Sequence, residues 1–371
     1  MSYKVYFITG GGTGGHVYPA FTVAEKLLQD SNNNKVFYIG NPKNIEYEIS
    51  KRNDKITFLG VDVGGMPRKL SLSLLYWVVK LFLACFKSVY YILRYKPNAI
   101  FATGGYVSAP IVFAARLLKK PYMIHDCDSE PGLVSKISAP GAKIVSVAFE
   151  NSRNKLKSKN IICNGNPIRE DFFKIDKETA RKTLGIPLDK KVILAMGGSQ
   201  GAKTINTAII NILKTLSESM GFFVILQTGK NKYEEVMNEL KEIYPNYKQN
   251  QNVMVRPYFD DMVYPMKAAD LIVARAGSLS LTEILQCAAA SILVPYPYAA
   301  QDHQRKNAKE MCDKGVSLYL EDSECNGNSL LDLIKKLDES QITQMQNKAK
   351  ELAITNPTEV IVAQLKSIMR Y

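Results

Sequence analysis

Five glycines in six positions follow the first apolar run of the chain. Val5-Tyr6-Phe7-Ile8 and Thr9 lead into Gly10-Gly11-Gly12-Thr13-Gly14-Gly15-His16, and beyond Pro19 the apolar residues Phe21, Ala24 and Leu28 fall at helical spacing. The order is strand, glycine turn, helix. Such a turn allows close backbone approach and positive φ, and the helix behind it offers free N–H groups and a positive dipole end to an anion, a phosphate above all. Two common phosphate signatures fit poorly. Gly10-x-Gly12-x-x-Gly15 matches the dinucleotide fingerprint, but that fingerprint wants a carboxylate about 20 residues on, where the second strand ends. Here Lys35-Val36-Phe37-Tyr38-Ile39 ends in Gly40-Asn41. A nucleoside-triphosphate loop closes in Gly-Lys-Ser/Thr, whereas this one closes in Gly15-His16. Nicotinamide and ATP chemistry are disfavoured on both counts.

The plan recurs along the chain. Ala99-Ile100-Phe101-Ala102 runs into Thr103-Gly104-Gly105-Tyr106, and Tyr122-Met123-Ile124 into His125-Asp126-Cys127-Asp128. In the second half, Val192–Met196 runs into Gly197-Gly198-Ser199-Gln200-Gly201-Ala202, and Leu271-Ile272-Val273 into Ala274-Arg275-Ala276-Gly277-Ser278. Strands alternating with helices predict an α/β fold with parallel sheets and ligands at the carboxyl ends of strands. The duplication predicts two doubly wound, Rossmann-like domains facing a cleft. Asn164-Gly165-Asn166-Pro167-Ile168-Arg169 lies where a hinge is expected, which sets the boundaries at 1–164 and 165–354.

Charge separates the halves. The net charge of +13 comes almost wholly from residues 1–170, with 23 Lys and Arg against 11 Asp and Glu, while the remainder has 25 against 24. The first half is therefore expected to meet a polyanion, either nucleic acid or an anionic membrane face. Six scattered cysteines without a C-x-x-C pair suggest neither a zinc site nor a disulfide framework, and the N-terminus lacks a secretory cleavage pattern.

Residues 68–97 are the most apolar stretch. In the window 72–90, ten Leu, Ile, Val and Phe residues contribute about −3 to −6 kcal/mol to membrane insertion, and Lys80 and Lys87 cost about +5 to +7 kcal/mol, so spanning is not favoured. Ser73, Lys80, Lys87 and Arg94 recur every seven residues, giving a helix with one narrow polar stripe. Either it is a core helix, or part of it meets lipid around Trp77, with Arg68 and Lys69 at its edge against head groups.

All three histidines, His16, His125 and His303, fall in candidate sites, where each is either a chemical group or a satisfied hydrogen-bonding residue of a strand end. His16 follows the first glycine turn, where it can act as a base or hydrogen-bond a phosphate. Ser278-Leu279-Ser280-Leu281-Thr282-Glu283 opens a helix with hydroxyls, free N–H groups and one carboxylate, a set that suits a diphosphate and then a ribose diol. Ordinary N-capping by Ser278 or Ser280 is the alternative. Gln301-Asp302-His303-Gln304-Arg305 offers amides for sugar hydroxyls, or is a solvated loop.

Gly11–His16, Thr103–Tyr106, Gly165–Arg169, Gly197–Ala202 and Gly277–Glu283, followed by Gln304 and Asn307-Ala308, resemble in order and spacing the MurG family of glycosyltransferases, in glycosyltransferase family 28. The resemblance runs from about residue 5 to residue 310. It implies a GT-B fold and a metal-independent, cofactor-free inverting transfer of N-acetylglucosamine from UDP-GlcNAc to the C4 hydroxyl of undecaprenyl-diphospho-muramoyl-pentapeptide (lipid I), giving lipid II of the cell wall. It also implies peripheral attachment to the cytoplasmic face of the plasma membrane through an anionic surface, and no nucleic-acid partner. The first domain then handles the acceptor, with the last helix, 355–371, crossing back to complete it, and the second binds the donor.

Carried over residue by residue, the family's donor contacts fall on Thr13, Gly14, Gly15, Asp128, Arg169, Ser199, Phe259, Ser278, Leu279, Ser280, Leu281, Thr282, Glu283 and Gln304. Acceptor contacts fall on Gly104, Gly105 and Tyr106, and the catalytic candidates are His16 and Asp126. One motif departs. The family commonly has His-Glu-x-Asn where this chain has His125-Asp126-Cys127-Asp128, so a carboxylate replaces an amide donor at Asp128. Asp126-x-Asp128 has metal-loop spacing but belongs to this motif, and no metal site is expected. A diacylglycerol glycosyltransferase of the same superfamily and a UDP-sugar 2-epimerase on the same fold are the alternatives.

Overall fold

Runs of apolar, β-branched and aromatic residues become short strands, and those at the centre of each sheet are buried throughout, the condition under which strands lose polar alternation. The computed structural model describes residues 3–67, 71–198 and 200–369, and the chain divides into two units, Met1–Arg169 with Ile354–Tyr371, and Glu170–Ala353. Arg68, Lys69 and Ser199 lie outside the described residues.

In the first unit, β1 (Lys4–Thr9), β2 (Asn34–Gly40), β3 (Ile56–Gly60), β4 (Ala99–Ala102), β5 (Tyr122–Asp126), β6 (Ile144–Val147) and β7 (Ile161–Cys163) form a parallel sheet. Its order is β3-β2-β1-β4-β5-β6-β7. β1 lies between β2 and β4, with Thr9 paired to Ile39 on one side and Ala102 on the other. The strand order reverses there, the place where doubly wound sheets open a crevice beyond their carboxyl ends. The second unit repeats this with β8 (Val192–Met196), β9 (Phe223–Gln227), β10 (Val253–Arg256), β11 (Leu271–Ala274), β12 (Ala290–Leu293) and β13 (Ser317–Tyr319), in the order β10-β9-β8-β11-β12-β13. Its switch lies between β8 and β11, paired in parallel from Leu271–Ile193 to Ala274–Met196. These are the two doubly wound α/β sheets that the duplicated pattern predicts.

The helices that position the first unit's site are α1 (Gly14–Asp30), α2 (Ile45–Ser50), α3 (Leu72–Tyr95), α4 (Ser108–Leu117) and α5 (Leu133–Ser138). α1 buries Val17, Ala20, Phe21, Ala24 and Leu27, and Ile361, Val362 and Leu365 of the helix Pro357–Ser367 join that cluster. Each of those last three aliphatic side chains stabilises the packing by about 1.5–3 kcal/mol, more than the partly exposed Lys26–Glu359 pair beside them at 3.3 Å. Gly165–Arg169 also belongs with the first unit. The Ile168 N–H donates to Thr358 Oγ1 (3.1 Å), and Asn164 exchanges side-chain hydrogen bonds with Gln364.

α3 is apolar on both sides. Trp77, Leu81, Ala84, Ser88, Tyr91 and Ile92, at three- and four-residue spacing, face the unit's core. Leu72, Leu75, Phe82, Leu83, Phe86 and Leu93 are each about 60 % exposed or more. The polar stripe expected every seven residues is largely spoken for: Lys80 pairs with Asp62 at 3.0 Å, and Lys87 sits over the Tyr91 ring. By length and composition α3 could cross a membrane, but it packs by its inner stripe onto α4. Trp77, which the second of the two readings sets against lipid, points inward: its Nε1 donates to the Gly64 carbonyl (2.9 Å), and its ring meets Tyr106 edge-on.

Candidate active site

Close backbone approach builds the first unit's turns. A Cβ on Gly105, whose φ is +78°, would stand 2.2 Å from the Gly11 carbonyl oxygen, and one on Gly10 would stand 1.9 Å from Thr103 Oγ1. The turns after β1 and β4 interlock because neither position carries a side chain. Thr103 bridges them: its N–H donates to the Thr9 carbonyl (2.9 Å) and its hydroxyl to the His16 carbonyl (2.6 Å). Tyr38 OH donates to the Gly10 carbonyl (2.6 Å) from below. The His16 ring packs over Gly104, where a Cβ would come within 3.3 Å of it.

Thr13 caps α1 through its backbone only, without a side-chain hydrogen bond and with no acidic residue in the first turn. The start of α1 at Gly14 and Gly15 therefore keeps its affinity for an anion. The structure thus gathers Thr13, Gly14, Gly15, His16, Gly104, Gly105 and Tyr106 at one switch point.

The next strand end is built differently. His125 is fully buried, with Nε2 3.0 Å from Asn166 Oδ1 and Nδ1 2.8 Å from Ser146 Oγ. The amide oxygen only accepts, so Nε2 carries the ring proton and Nδ1 accepts from Ser146, which in turn accepts from Asn164 Nδ2 (2.9 Å). Burial pushes this imidazole down to about 4. His125 is a neutral structural residue with both nitrogens engaged. It is held by Ser146, which the sequence pattern does not single out, and by Asn166, which that pattern places only in the hinge motif.

Asp126 is also buried. Its oxygens accept from the N–H groups of Asp128 and Gly132, both at 3.3 Å, which ties the 127–132 segment to β5. Burial, with the neighbouring Asp128 carboxylate acting in the same direction, lifts Asp126 to about 7 against these bonds and one from Ser135. Asp128 is half-buried, and its carbonyl accepts from Ser152 Oγ (2.6 Å). Arg169 closes the first unit near Glu25, whose carboxyl is raised by burial and partly lowered by the guanidinium.

The second unit repeats the close approach. A Cβ on Gly201, at φ +72°, would stand 1.9 Å from the Thr228 carbonyl oxygen, which accepts from Asn206 Nδ2 (2.9 Å). Gln227 links this turn to Phe259: its Nε2 donates to the Gly198 carbonyl (3.4 Å), and its Oε1 accepts the Phe259 N–H (3.2 Å).

Across the switch, the helix Ser278–Gln286 starts at Gly277 without a side-chain cap. Ser278 and Leu281 are buried, so Leu281 offers its backbone only, while Leu279, Ser280, Thr282 and Glu283 are half-buried. Asn307 Nδ2 donates to the Ala276 carbonyl (3.2 Å) and fixes the turn. Gln304 Oε1 accepts the Tyr296 N–H (3.0 Å), and His303 Nδ1 lies 2.7 Å from the Ala300 carbonyl, so both side chains brace the 296–303 segment.

Fold and sites together define an α/β protein whose two units each begin a helix without a side-chain cap at the switch point of a parallel sheet. The chain belongs to glycosyltransferase family 28: the N-terminal domain of that family matches residues 6–147 and the C-terminal domain residues 192–365. A UDP-N-acetylglucosamine--N-acetylmuramyl-(pentapeptide) pyrophosphoryl-undecaprenol N-acetylglucosamine transferase of Acetivibrio thermocellus is 33% identical over 98% of both chains. The transferase of the same name from Bacillus subtilis is 31% identical over 98% of this chain and 99% of its own. Among solved structures, Acinetobacter baumannii MurG matches with a TM-score of 0.78 at 29% identity, over 98% of this chain and 99% of that one. A UDP-GlcNAc 2-epimerase from Neisseria meningitidis shares the fold alone, at 16% identity and TM-score 0.67 over 98% of this chain and all of that one.

The neighbours His125 and Asp126 predict an opposed pH dependence. Asp126, raised from 3.8 to about 7, contributes stability that is complete below 3.8 and lost as pH rises through 7. His125, lowered from 6.5 to about 4, contributes stability that is complete above 6.5 and lost as pH falls through 4. Between those values the two oppose each other. Asp126→Asn should therefore lose stability more steeply than wild type as pH falls from 6.5 towards 4, by up to about 1.4 kcal/mol per pH unit for one linked proton. Urea unfolding followed by the fluorescence of Trp77, the single tryptophan, reads this in the first unit; equal slopes would contradict it.

Proposed function

We infer that this chain transfers N-acetylglucosamine from UDP-GlcNAc to the C4 hydroxyl of undecaprenyl-diphospho-N-acetylmuramoyl-pentapeptide, forming lipid II with inversion at the anomeric carbon. The observation that carries this reading is that the likeness to such transferases runs through both units, at one third identity over 98% of the chain. The second unit takes the donor. Ser278, Ser280 and the first N–H groups of their helix receive the diphosphate, Glu283 receives the ribose diol, and Phe259 stands beside the base. The first unit takes the acceptor, with Gly104, Gly105 and Tyr106 at its diphosphate.

As the C4 oxygen bonds to the anomeric carbon, the bond to UDP breaks, the hydroxyl proton must leave, and negative charge grows on the leaving diphosphate. His16 is the group we assign to that proton, since its backbone is fixed by Thr103 and its ring lies over Gly104. Helix-start N–H groups, hydroxyls and Arg169 stabilise the leaving charge. Asp126 acts at one remove by holding the segment that carries Asp128.

Radiolabelled UDP-GlcNAc supplied with a lipid I analogue should give labelled lipid product, equally with and without EDTA; no transfer to that acceptor would refute the reading. His16→Ala should lower kcat by about 10²–10⁴-fold with little change in acceptor KM. A raised KM at normal kcat would make His16 a phosphate partner instead, and normal values of both would remove it from the site.

We also place the enzyme peripherally on the cytoplasmic membrane face. The basic first half and the exposed face of α3 support this, since apolar burial and attraction to anionic lipid add together. Changing Leu75, Phe82 and Phe86 together to Gln should weaken binding to phosphatidylglycerol vesicles by at least about tenfold. Unchanged binding by the folded variant would assign the membrane contact elsewhere.

A further inference from the structure

A cavity of about 270 Å³ opens in the first unit among α3, α4 and α5, and no step above uses it. Ala109, Val112, Phe113 and Arg116 line it from α4 at positions i, i+3, i+4 and i+7, so it runs along two helical turns, about 10 Å. Trp77 and Leu81 of α3 form a second wall, and Leu133 and Ile137 of α5 a third. Phe113, Leu133 and Ile137 are about half exposed or more, which puts apolar residues at the rim. Among the described residues Arg116 is the one charged group in the lining; it is exposed, and its aliphatic stem can line the wall while the guanidinium reaches water.

Tyr106 identifies the inner end. It lines the cavity, meets Trp77 edge-on at 5.8 Å between ring centroids, and directly follows Gly105 of the interlocked turns. One end of this apolar channel thus adjoins the turns assigned above to the acceptor diphosphate, and the other follows α4 outward. A ligand that fits both is a hydrocarbon chain ending in a diphosphate. Its elongation suits a chain better than a compact ring. An apolar cavity of roughly 150 Å³ accepts benzene, with six carbons, so this one accommodates about ten, or two isoprene units.

We propose that the cavity is the binding site for the two isoprene units of the acceptor nearest its diphosphate, so that the enzyme selects its acceptor partly by a polyprenyl chain drawn out of the bilayer. The proposal rests on the acceptor assignment made above. It differs from membrane attachment through the outer face of α3, because it gives one chain a bounded pocket rather than giving the protein a surface.

Trp77 lies in the wall and is the only tryptophan, so its emission reports occupancy without any sugar transfer. Geranyl diphosphate, with ten carbons, should shift Trp77 emission saturably, at a concentration at least about tenfold below that needed for dimethylallyl diphosphate, with five, while inorganic diphosphate leaves it unchanged. Ala109→Phe, which fills the channel, should abolish the geranyl response, and the milder Ala109→Leu should weaken it. In transfer assays both variants should lose the lower KM that wild type shows for a ten-carbon over a five-carbon acceptor.

No emission change with geranyl diphosphate, or equal affinity for the two prenyl diphosphates, would overturn the proposal. So would an equal response to decanoate, which would make the cavity a general acyl-chain site. A specific geranyl response in a protein that transfers no sugar would leave the cavity standing and refute the transferase reading; transfer without a geranyl response would do the reverse.

Discussion

Backbone contact between two turns is the constraint on which the first unit's site depends. Gly105 lies against the Gly11 carbonyl with no room for a Cβ, and the Thr103 hydroxyl fills the space that a Gly10 side chain would need. Those contacts bring the ends of β1 and β4 together, set the start of α1 and aim His16 over Gly104. Gly201 against the Thr228 carbonyl is the counterpart in the second unit, where the turn after β8 meets the turn after β9. Helix starts left without side-chain caps at Gly14 and Ser278 remain available to anions.

These features were legible in the sequence because they are local. A strand, a glycine turn and an amphipathic helix are contiguous, and four such units at corresponding places in two halves are enough to predict two doubly wound sheets. Which of its two readings holds for His125, a chemical group or a satisfied hydrogen-bonding residue, was not legible. It depends on Ser146 and Asn166, 21 and 41 residues away, which occupy both ring nitrogens. Two contacts hold Gly165–Arg169 to the first unit: Asn166 completes the His125 network, and Ile168 pairs with Thr358 in the returning helix. A hinge assigned from composition could not anticipate bonds to residues nearly 200 positions on.

α3 illustrates a subtler limit. Its apolar residues cover nearly the whole circumference, so periodicity alone could not separate the side that packs from the side that meets solvent or lipid. The structure separates them by what stands opposite. α4 meets the stripe through Trp77, Leu81 and Ala84, while Phe82, Leu83 and Phe86 have nothing of the kind over them and stay about 60 % exposed. Trp77 changes meaning as a result, from a candidate lipid anchor to the wall of an open apolar cavity beside Tyr106. Sequence showed that this region is apolar; only packing distinguished its exposed face from the face that lines a cavity.

The central claim of the account is that the donor nucleotide is held at the switch point of the second unit, by the helix that begins at Ser278 and the carboxylate one turn further along. Titration calorimetry of UDP into the full chain and into Glu283→Ala tests it most directly. A hydrogen bond to a charged group contributes about 1.5–3 kcal/mol, so the variant should bind UDP about tenfold to a hundredfold more weakly while remaining folded. Unaltered UDP affinity in the variant would contradict the assignment.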